Sequence, residues 1–335
     1  MRQYDRVREE RYNRFLHGLD RNDVGTNMQQ SPLMSDAELQ TLIDELTPKI
    51  KTNTALATIL TIIGFISSTF VRVGVGEFFD MLVLVVFFSM FFSFAFYFGN
   101  KAARQKKRLK CIVSNNIVRG VLTDNFELAV YAPGSHIRQS IIEHTKLIQL
   151  NWNRISGSDL VEGTYRGVRF SFSDLLLRHE TGSGKNRKIV TRFKGQWLIC
   201  ELKKEIPWKI CLRERGSDNK RTKSTIETEN IEFNQKFHIQ AEDPHTAFYV
   251  LTPHFMEYIM KARRRANART FMKFDGRQIH IALHNGRDLF EPYGKKLFVA
   301  NNIVTLRMQM QWDVKYITGV IDELLYNEKL FNKEE

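Results

Sequence analysis

Two apolar segments decide the architecture: Thr52–Val71 reads TNTALATILTIIGFISSTFV, and Phe78–Gly99 reads FFDMLVLVVFFSMFFSFAFYFG. The first contains no charged side chain, and Asp80 is the only charge in the second. An α-helix rises about 1.5 Å per residue, so each segment is long enough to cross the hydrocarbon core of a bilayer, which is about 30 Å thick. The short connection between them contains two glycines, Gly74 and Gly76. The sequence therefore predicts a transmembrane helical hairpin formed by 52–71 and 78–99.

Small side chains recur at helical spacing on one face of each segment. They are Ala57, Thr61, Gly64 and Ser68 in the first segment, and Ser89 and Ser93 in the second. Small residues let two helices approach closely in lipid, where van der Waals contact drives association. We expect these residues to pack the hairpin, while the phenylalanines of the second segment face lipid or another copy of the hairpin in a homo-oligomer.

Basic residues flank the hairpin on one side. Lys49 and Lys51 precede it, Arg72 alone lies in its loop, and six follow it with no acid among residues 101–110: Lys101, Arg104, Lys106, Lys107, Arg108 and Lys110. By the positive-inside rule, the sequence predicts a multi-pass protein of the plasma (inner) membrane with both termini in the cytoplasm. The same six residues serve either as topology determinants alone or also as contacts for anionic lipid.

The net charge and the cysteine content indicate which classes of partner and which compartment suit this chain. The chain of 335 residues has a formal net charge of +13, which favours an anionic partner. Nucleic acid is an unlikely partner, because the densest basic stretch is tied to the bilayer and no aromatic-and-basic recognition motif is present. The three cysteines, Cys111, Cys200 and Cys211, are not spaced as CxxC. This pattern disfavours a disulfide framework or a zinc site and predicts small core residues in a reducing compartment.

The rest of the chain reads as a soluble α+β protein around the hairpin. We predict a polar N-terminal tail at 1–34 that can form an amphipathic helix, a juxtamembrane helix at 35–51 capped by Ser35, the hairpin at 52–99, a basic juxtamembrane helix at 100–122, and a cytosolic domain at 123–335 with an antiparallel β-sheet and packed helices. Its local signals are hairpin turns at Arg166-Gly167 and Asp275-Gly276, separate strands at 194–202, 207–213 and 237–241, helix starts at Asp243-Pro244 and Thr252-Pro253, and helices at 137–150 and 313–326.

No motif in this domain carries recognisable chemistry. Gly182-Ser183-Gly184-Lys185 lacks the spacing of a phosphate-binding loop and reads as a hairpin loop. His280 and His284 alternate with apolar residues on a strand, which separates them by about 13 Å and predicts polar residues on an open sheet face rather than metal ligands. The sequence therefore predicts no catalytic, cofactor-binding or metal-binding residues and no cofactor.

Several short segments in a fixed order carry a family resemblance. They are Gly157–Gly163, Val168–Phe172, Phe193–Gly195, Phe233–Phe237, Leu251–Pro253, Ile279–Ala282 and Phe290–Pro292. Through them the chain, over roughly residues 36–330, resembles the bacterial membrane proteins catalogued as domain of unknown function 3137. The family has no established activity, so the resemblance implies architecture and location and names no substrate. Residues 214–225 depart from the pattern by being longer and more basic.

Two functions of different class follow from these observations. The first is a membrane-anchored cytosolic binding or scaffold module, with the bilayer, anionic lipid and an unidentified protein as partners. The alternative is a membrane-associated enzyme without a recognisable catalytic motif. A deep pocket with convergent titratable groups would favour the enzyme.

Overall fold

The computed structural model describes residues 33–71, 78–216, 224–290, 303–325 and Leu330. The helices of this part of the chain are α1 (Asp36–Val71), α2 (Phe78–Asn125), α3 (Gln139–Thr145), α4 (Ile231–Lys236), α5 (Pro244–Val250), α6 (Pro253–Ala266) and α7 (Ile303–Leu325). The strands are β1 (Glu127–Ala132), β2 (Arg154–Tyr165), β3 (Val168–Thr181), β4 (Lys188–Glu214), β5 (Phe237–Ala241) and β6 (Arg269–His284). The described residues divide into two compact units, one within 33–120 and 303–310, and the other within 121–290 and 311–330.

The first unit is built on two long helices. Ser35 and Glu38 form a capping box at the start of α1, in which the Ser35 N–H donates to Glu38 Oε2 at 2.7 Å and the Glu38 N–H donates to Ser35 Oγ at 3.3 Å. The predicted cap at Ser35 is therefore confirmed. The sequence predicts a juxtamembrane helix at 35–51 and a separate transmembrane helix from Thr52, whereas α1 is one helix that continues through Pro48 without a break.

Helices α1 and α2 pack against each other in antiparallel directions. Residues progressively later in α1 contact residues progressively earlier in α2. The contacts are the Met34 N–H with Asn116 Oδ1 at 3.1 Å, Asn53 Nδ2 with Gln105 Oε1 at 2.9 Å, Ala57 Cβ 3.8 Å from the position of a Cβ built on Gly99, and Phe92 3.5 Å from a Cβ built on Gly64. The buried seam has a near-heptad spacing in each helix, with Leu39, Ile43 and Ile50 on α1 and Ala95, Ala102, Leu109, Val113 and Ile117 on α2.

The second unit contains a six-stranded antiparallel sheet with the order β1-β2-β3-β4-β5, in which β6 pairs with β4. The predicted turn between β2 and β3 is confirmed. Arg166 and Gly167 both have positive φ, 48° and 77°, as a two-residue primed turn requires. Strand β1 had no sequence prediction, because its six residues, ELAVYA, form too short a pattern.

The predicted hairpin at Asp275-Gly276 is wrong. Residues 271–274 and 278–283 both pair with β4 and form the single strand β6. Gly276 has a positive φ of 60°, but it lies opposite Ile206 at a register shift, so its conformation serves a bulge rather than a turn. Likewise, the two predicted strands at 194–202 and 207–213 are parts of one strand, β4.

The predicted helix starts are confirmed. The carboxylate of Asp243 accepts from the Thr246 N–H at 2.7 Å, and the Thr252 hydroxyl accepts from the Phe255 N–H at 3.3 Å. The predicted helix at 137–150 is limited to α3, and the last helix begins at Ile303, ten residues earlier than predicted. The predicted N-terminal amphipathic helix lies outside the described residues.

The core of the sheet unit surrounds Trp197, which is fully buried with Phe193, Leu175 and Leu177. Two buried cationic side chains donate hydrogen bonds to the carbonyl oxygens at the C-terminal end of α3. Lys273 Nζ donates to the Thr145 carbonyl oxygen at 3.0 Å, and Arg213 donates to the carbonyl oxygens of Lys146 and Leu147. Cationic groups satisfy the free carbonyls at a helix end, which explains why these two charges tolerate burial.

Candidate functional site

Large apolar side chains lie exposed along both long helices. On α1 they are Leu56, Ile59, Ile62, Ile63, Phe65 and Ile66, with 39–68% of their surface exposed, and on α2 they are Val86, Met90, Phe92, Phe94, Phe96 and Tyr97, with 47–73% exposed. Within the described residues, one helical stretch, Asp36–Ile66, is long and apolar enough to cross a membrane by length and composition. The side chains of residues 78–85, 87 and 88 in α2 lie outside the described set.

The small residues occupy different positions relative to the contact between α1 and α2. Gly64 is buried against Phe92, and Ala57 lies against Gly99. Thr61 is exposed and its hydroxyl donates to the Ala57 carbonyl oxygen at 2.7 Å. Ser89 and Ser93 are also exposed and donate to carbonyl oxygens of their own helix. The side chain of Ser68 lies outside the described set, and Ala95 and Ala102 are the buried small residues of α2.

The basic stretch after the apolar part of α2 is helical throughout. Lys101, Arg104 and Lys106 have exposed side chains, and Lys101 Nζ lies 5.9 Å from the centre of the Tyr97 ring. The side chains of Lys107, Arg108 and Lys110 lie outside the described set. The described basic side chains therefore begin directly after the exposed aromatic residues of the same helix.

A groove of about 540 Å³ lies beside this stretch, and its lining combines amines, apolar side chains and three threonine hydroxyls. The residues that define it chemically are Thr47, Ile50, Lys51, Ala55, Ile59 and Lys106. We call it the juxtamembrane groove, because it lies beside the segments that the sequence predicts to cross a membrane. Thr47 is 5% exposed, and its hydroxyl has no hydrogen-bond partner within the described part of the chain. A buried hydroxyl without a partner is costly, so this atom is suited to bond a bound molecule.

The sheet unit buries a polar network that the sequence did not reveal. Asp174 is 2% exposed; its carboxylate accepts from Gln196 Nε2 at 2.9 Å and from the Leu289 N–H at 2.6 Å. Burial, with a smaller contribution from Asp159, raises the pKa of Asp174 to about 8. Burial likewise raises the pKa of Asp313 to about 6 and that of Glu162 to about 7.

Two strained residues border this network. Asp159 and Phe290 have positive φ values of 60° and 54°, which are uncommon for residues other than glycine. Asp159 Oδ1 accepts from the Tyr131 hydroxyl at 2.5 Å, and the Phe290 N–H donates to Asp313 Oδ2 at 3.0 Å. The signal available in the sequence was the presence of Asp159 and Phe290 within segments that carry the family resemblance.

The prediction that His280 lies on an open sheet face is wrong. It is 4% exposed, and its Nδ1 lies 3.4 Å from Trp197 Nε1, which donates to it. Burial lowers the pKa of His280 to about 4, so the ring is neutral near pH 7. Cys200 and Cys211 are buried core residues as predicted, whereas the side chain of Cys111 lies outside the described set. In the part of the chain that the structure describes, no group of three His, Cys, Asp or Glu side chains is placed to hold a metal ion.

Comparison with known proteins identifies the domain that carries β4 to α7. Residues 191–325 match the model of the family described as "Protein of unknown function (DUF3137)". The chain contains a DUF3137 domain. The match confirms the resemblance over this range, and residues before 191 lie outside it. Trp197, Gln196 and His280 lie within the DUF3137 domain.

A solved structure aligns weakly with part of the chain. The crystal structure of the mycobacterial trehalose monomycolate transport factor A, TtfA, aligns with 63% of this chain and 96% of its own, at 9% identity and a TM-score of 0.30. A similarity this low carries no argument about fold or function. No curated protein matches the chain.

Proposed function

We propose that this protein is a membrane-anchored binding module in which α1 and α2 cross the bilayer as a hairpin and the DUF3137 domain remains in the cytosol. The observation that carries the proposal is the exposure of Ile, Phe and Met side chains along both helices of an antiparallel pair. Monomeric soluble proteins rarely expose contiguous apolar surface on this scale, whereas lipid-facing helices require it.

The juxtamembrane groove supports a role in binding anionic lipid. Ile50, Ala55 and Ile59 offer an apolar wall for an acyl chain, and Lys51 and Lys106 place amines at the same groove. The unpartnered Thr47 hydroxyl supplies a hydrogen-bonding group suited to a lipid head group. Basic residues near a membrane surface each attract anionic lipid by up to about 1 kcal/mol.

The proposal is tested by measuring how much phosphatidylglycerol the full-length protein retains in neutral detergent, compared with phosphatidylcholine. Replacement of Lys106, Lys107 and Arg108 with glutamine leaves Lys101, Arg104 and Lys110 in place. We expect this variant to insert with the same orientation but to retain less phosphatidylglycerol. High salt should reduce retention by the unmodified protein as well, because exposed charges are screened over about 8 Å at physiological ionic strength.

A variant with the same change in net charge serves as the control. Lys188, Lys203 and Lys236 are exposed residues of the sheet unit, and their replacement with glutamine should leave retention unchanged. Equal retention of the two lipids by the unmodified protein at low salt would refute the lipid role and leave the basic stretch as a topology determinant.

The carboxyl groups with raised pKa values do not favour a catalytic function. The carboxyl groups with raised pKa values, Asp174, Asp313 and Glu162, lie inside the sheet unit and none of them lines the juxtamembrane groove. Asp174 has both oxygens engaged in hydrogen bonds. A buried and bonded carboxyl group has no open approach for a substrate.

A further inference from the structure

A second pocket, of about 710 Å³, lies within the sheet unit and collects several cationic side chains. It forms where the C-terminal end of α6, the two ends of β6 and the end of β4 meet. The residues that define its chemistry are Glu214, Arg263, Arg264, Arg269, His284 and Asn285, all within the DUF3137 match. We call it the arginine pocket.

The arginine pocket has an excess of positive charge. Arg263 donates to Glu214 Oε1 from Nε at 2.8 Å and from a terminal nitrogen at 2.5 Å, so one cation is neutralised. Arg264 and Arg269 are exposed, and neither has an ion-pair partner among the described residues. Burial, followed by the charge of Arg269, lowers the pKa of His284, which leaves its ring neutral near pH 7. Two guanidinium groups in one pocket are therefore uncompensated.

The walls of the arginine pocket are held by hydrogen bonds that do not involve these two arginines. Glu214 Oε2 accepts from the Thr270 N–H at 2.9 Å, which fixes the Arg263–Glu214 pair to the start of β6. Asn285 Nδ2 donates to Gln196 Oε1 at 2.6 Å and to the Tyr316 hydroxyl at 3.0 Å. A pocket formed in advance loses less conformational entropy when a ligand binds.

We propose that the arginine pocket binds a doubly charged anion of the phosphate class. The planar guanidinium fork matches the oxygens of a phosphate group and can bond it with two parallel hydrogen bonds, an arrangement that lysine cannot reproduce. Arg264 and Arg269 together supply two positive charges for such a group. The volume lies within the usual range of small-molecule pockets, so the pocket admits a phosphate group with an attached moiety. The inference rests on residues of the sheet unit and does not require the membrane hairpin.

The phosphate group has two possible sources, a soluble phosphate compound and a phospholipid head group, and calorimetric titration separates them. Inorganic pyrophosphate represents the soluble source, and short-chain phosphatidic acid below its micelle concentration, whose phosphate monoester can carry two negative charges, represents the lipid source. Both are titrated into the full-length protein in neutral detergent. Stronger binding of pyrophosphate assigns the pocket to soluble phosphates, and stronger binding of the lipid assigns it to head groups.

The decisive variant replaces Arg264 and Arg269 with glutamine. Each substitution removes the charge-assisted hydrogen bonds of one guanidinium group and should weaken binding of the preferred probe about tenfold. The matched control replaces Lys203 and Lys236, two exposed lysines of the same unit, and should leave affinity unchanged. The Lys106, Lys107 and Arg108 variant should keep its affinity for pyrophosphate, which separates this site from the juxtamembrane groove.

Two results would overturn the inference. One is the absence of binding by either probe to the unmodified protein at low salt. The other is equal affinity in the Arg264 and Arg269 variant and its control while both keep the unfolding temperature of the unmodified protein. The substituted residues are exposed, so the variants are expected to fold.

Discussion

The hydroxyl of Tyr316 donates a hydrogen bond to the carbonyl oxygen of Ala266 at 2.9 Å. The same hydroxyl accepts from Asn285 Nδ2 at 3.0 Å. Ala266 lies just before β6 and Asn285 just after it, so one side chain of α7 joins the two ends of a 16-residue strand. Burial raises the pKa of Tyr316 to about 12, which keeps this hydroxyl protonated and able to donate. Tyr316 therefore links the chain on either side of β6, whose two ends border the arginine pocket.

Replacement of Tyr316 with phenylalanine should lower the free energy of unfolding by about 1–2 kcal/mol, because it removes two part-buried hydrogen bonds, one to the Ala266 carbonyl oxygen and one from Asn285. Urea denaturation followed by tryptophan fluorescence measures the change. Tyr249→Phe is the control, because the Tyr249 hydroxyl bonds the exposed Lys204 amine. Equal stability of the two variants would show that the Tyr316 bond does not hold β6.

The raised pKa of Asp174 makes stability depend on pH. Between about pH 4 and pH 8, native Asp174 holds a proton that the unfolded chain has released. The contribution of this group to stability is therefore full at low pH and falls as pH rises, by up to about 1.4 kcal/mol per pH unit. Asp174→Asn cannot titrate, so the stability of the unmodified protein relative to this variant should decrease from pH 5 to pH 8. Urea denaturation at each pH tests this, and a difference that stays constant would contradict the raised pKa.

Local signals predicted part of this fold and long-range pairing determined the rest. The caps at Asp243 and Thr252 and the turn at Arg166-Gly167 involve residues close in sequence, and all three are present. Asp275-Gly276 carries the same turn signal, but pairing with β4 places it in a bulge. His280 and Asp174 read as ordinary polar residues, because their burial depends on Trp197 and Gln196, which lie 83 and 22 residues away. The sequence did not reveal the arginine pocket for the same reason, because its residues Glu214, Arg264 and His284 are far apart in the sequence.

Gly195 should not tolerate a side chain. Its φ is 151°, and a Cβ at this position would fall on the carbonyl oxygen of Leu283 in the paired strand β6. Gly195→Ala should therefore destabilise the protein by several kcal/mol or prevent folding, because the backbone on both sides is fixed in the sheet. Gly134→Ala is the control, since a Cβ there meets nothing within 4 Å. Thermal unfolding compares them, and equal midpoints would refute the β4–β6 pairing at this position.

The antiparallel packing of α1 and α2 predicts a specific cross-link. A Cβ built on Gly99 lies 3.8 Å from Ala57 Cβ, close to the mean Cβ–Cβ separation of disulfides, about 3.8 Å. Cysteines at 57 and 99, in a chain with Cys111→Ser, should form a disulfide on mild oxidation. A pair at 57 and 94 is the control, because Phe94 is exposed. Mass spectrometry after thiol alkylation counts the free thiols, and equal cross-linking of both pairs would contradict the packing.

The membrane hairpin is the central claim, and the accessibility of residue 74 tests it most directly. Gly74 lies between α1 and α2 in the sequence, so a cysteine there, with Cys111→Ser, should react with a membrane-impermeant maleimide applied to intact cells. A cysteine at the exposed position Lys203 should react only after lysis. Labelling of residue 74 only after lysis, or equal labelling of both positions in intact cells, would contradict a hairpin with a cytosolic DUF3137 domain.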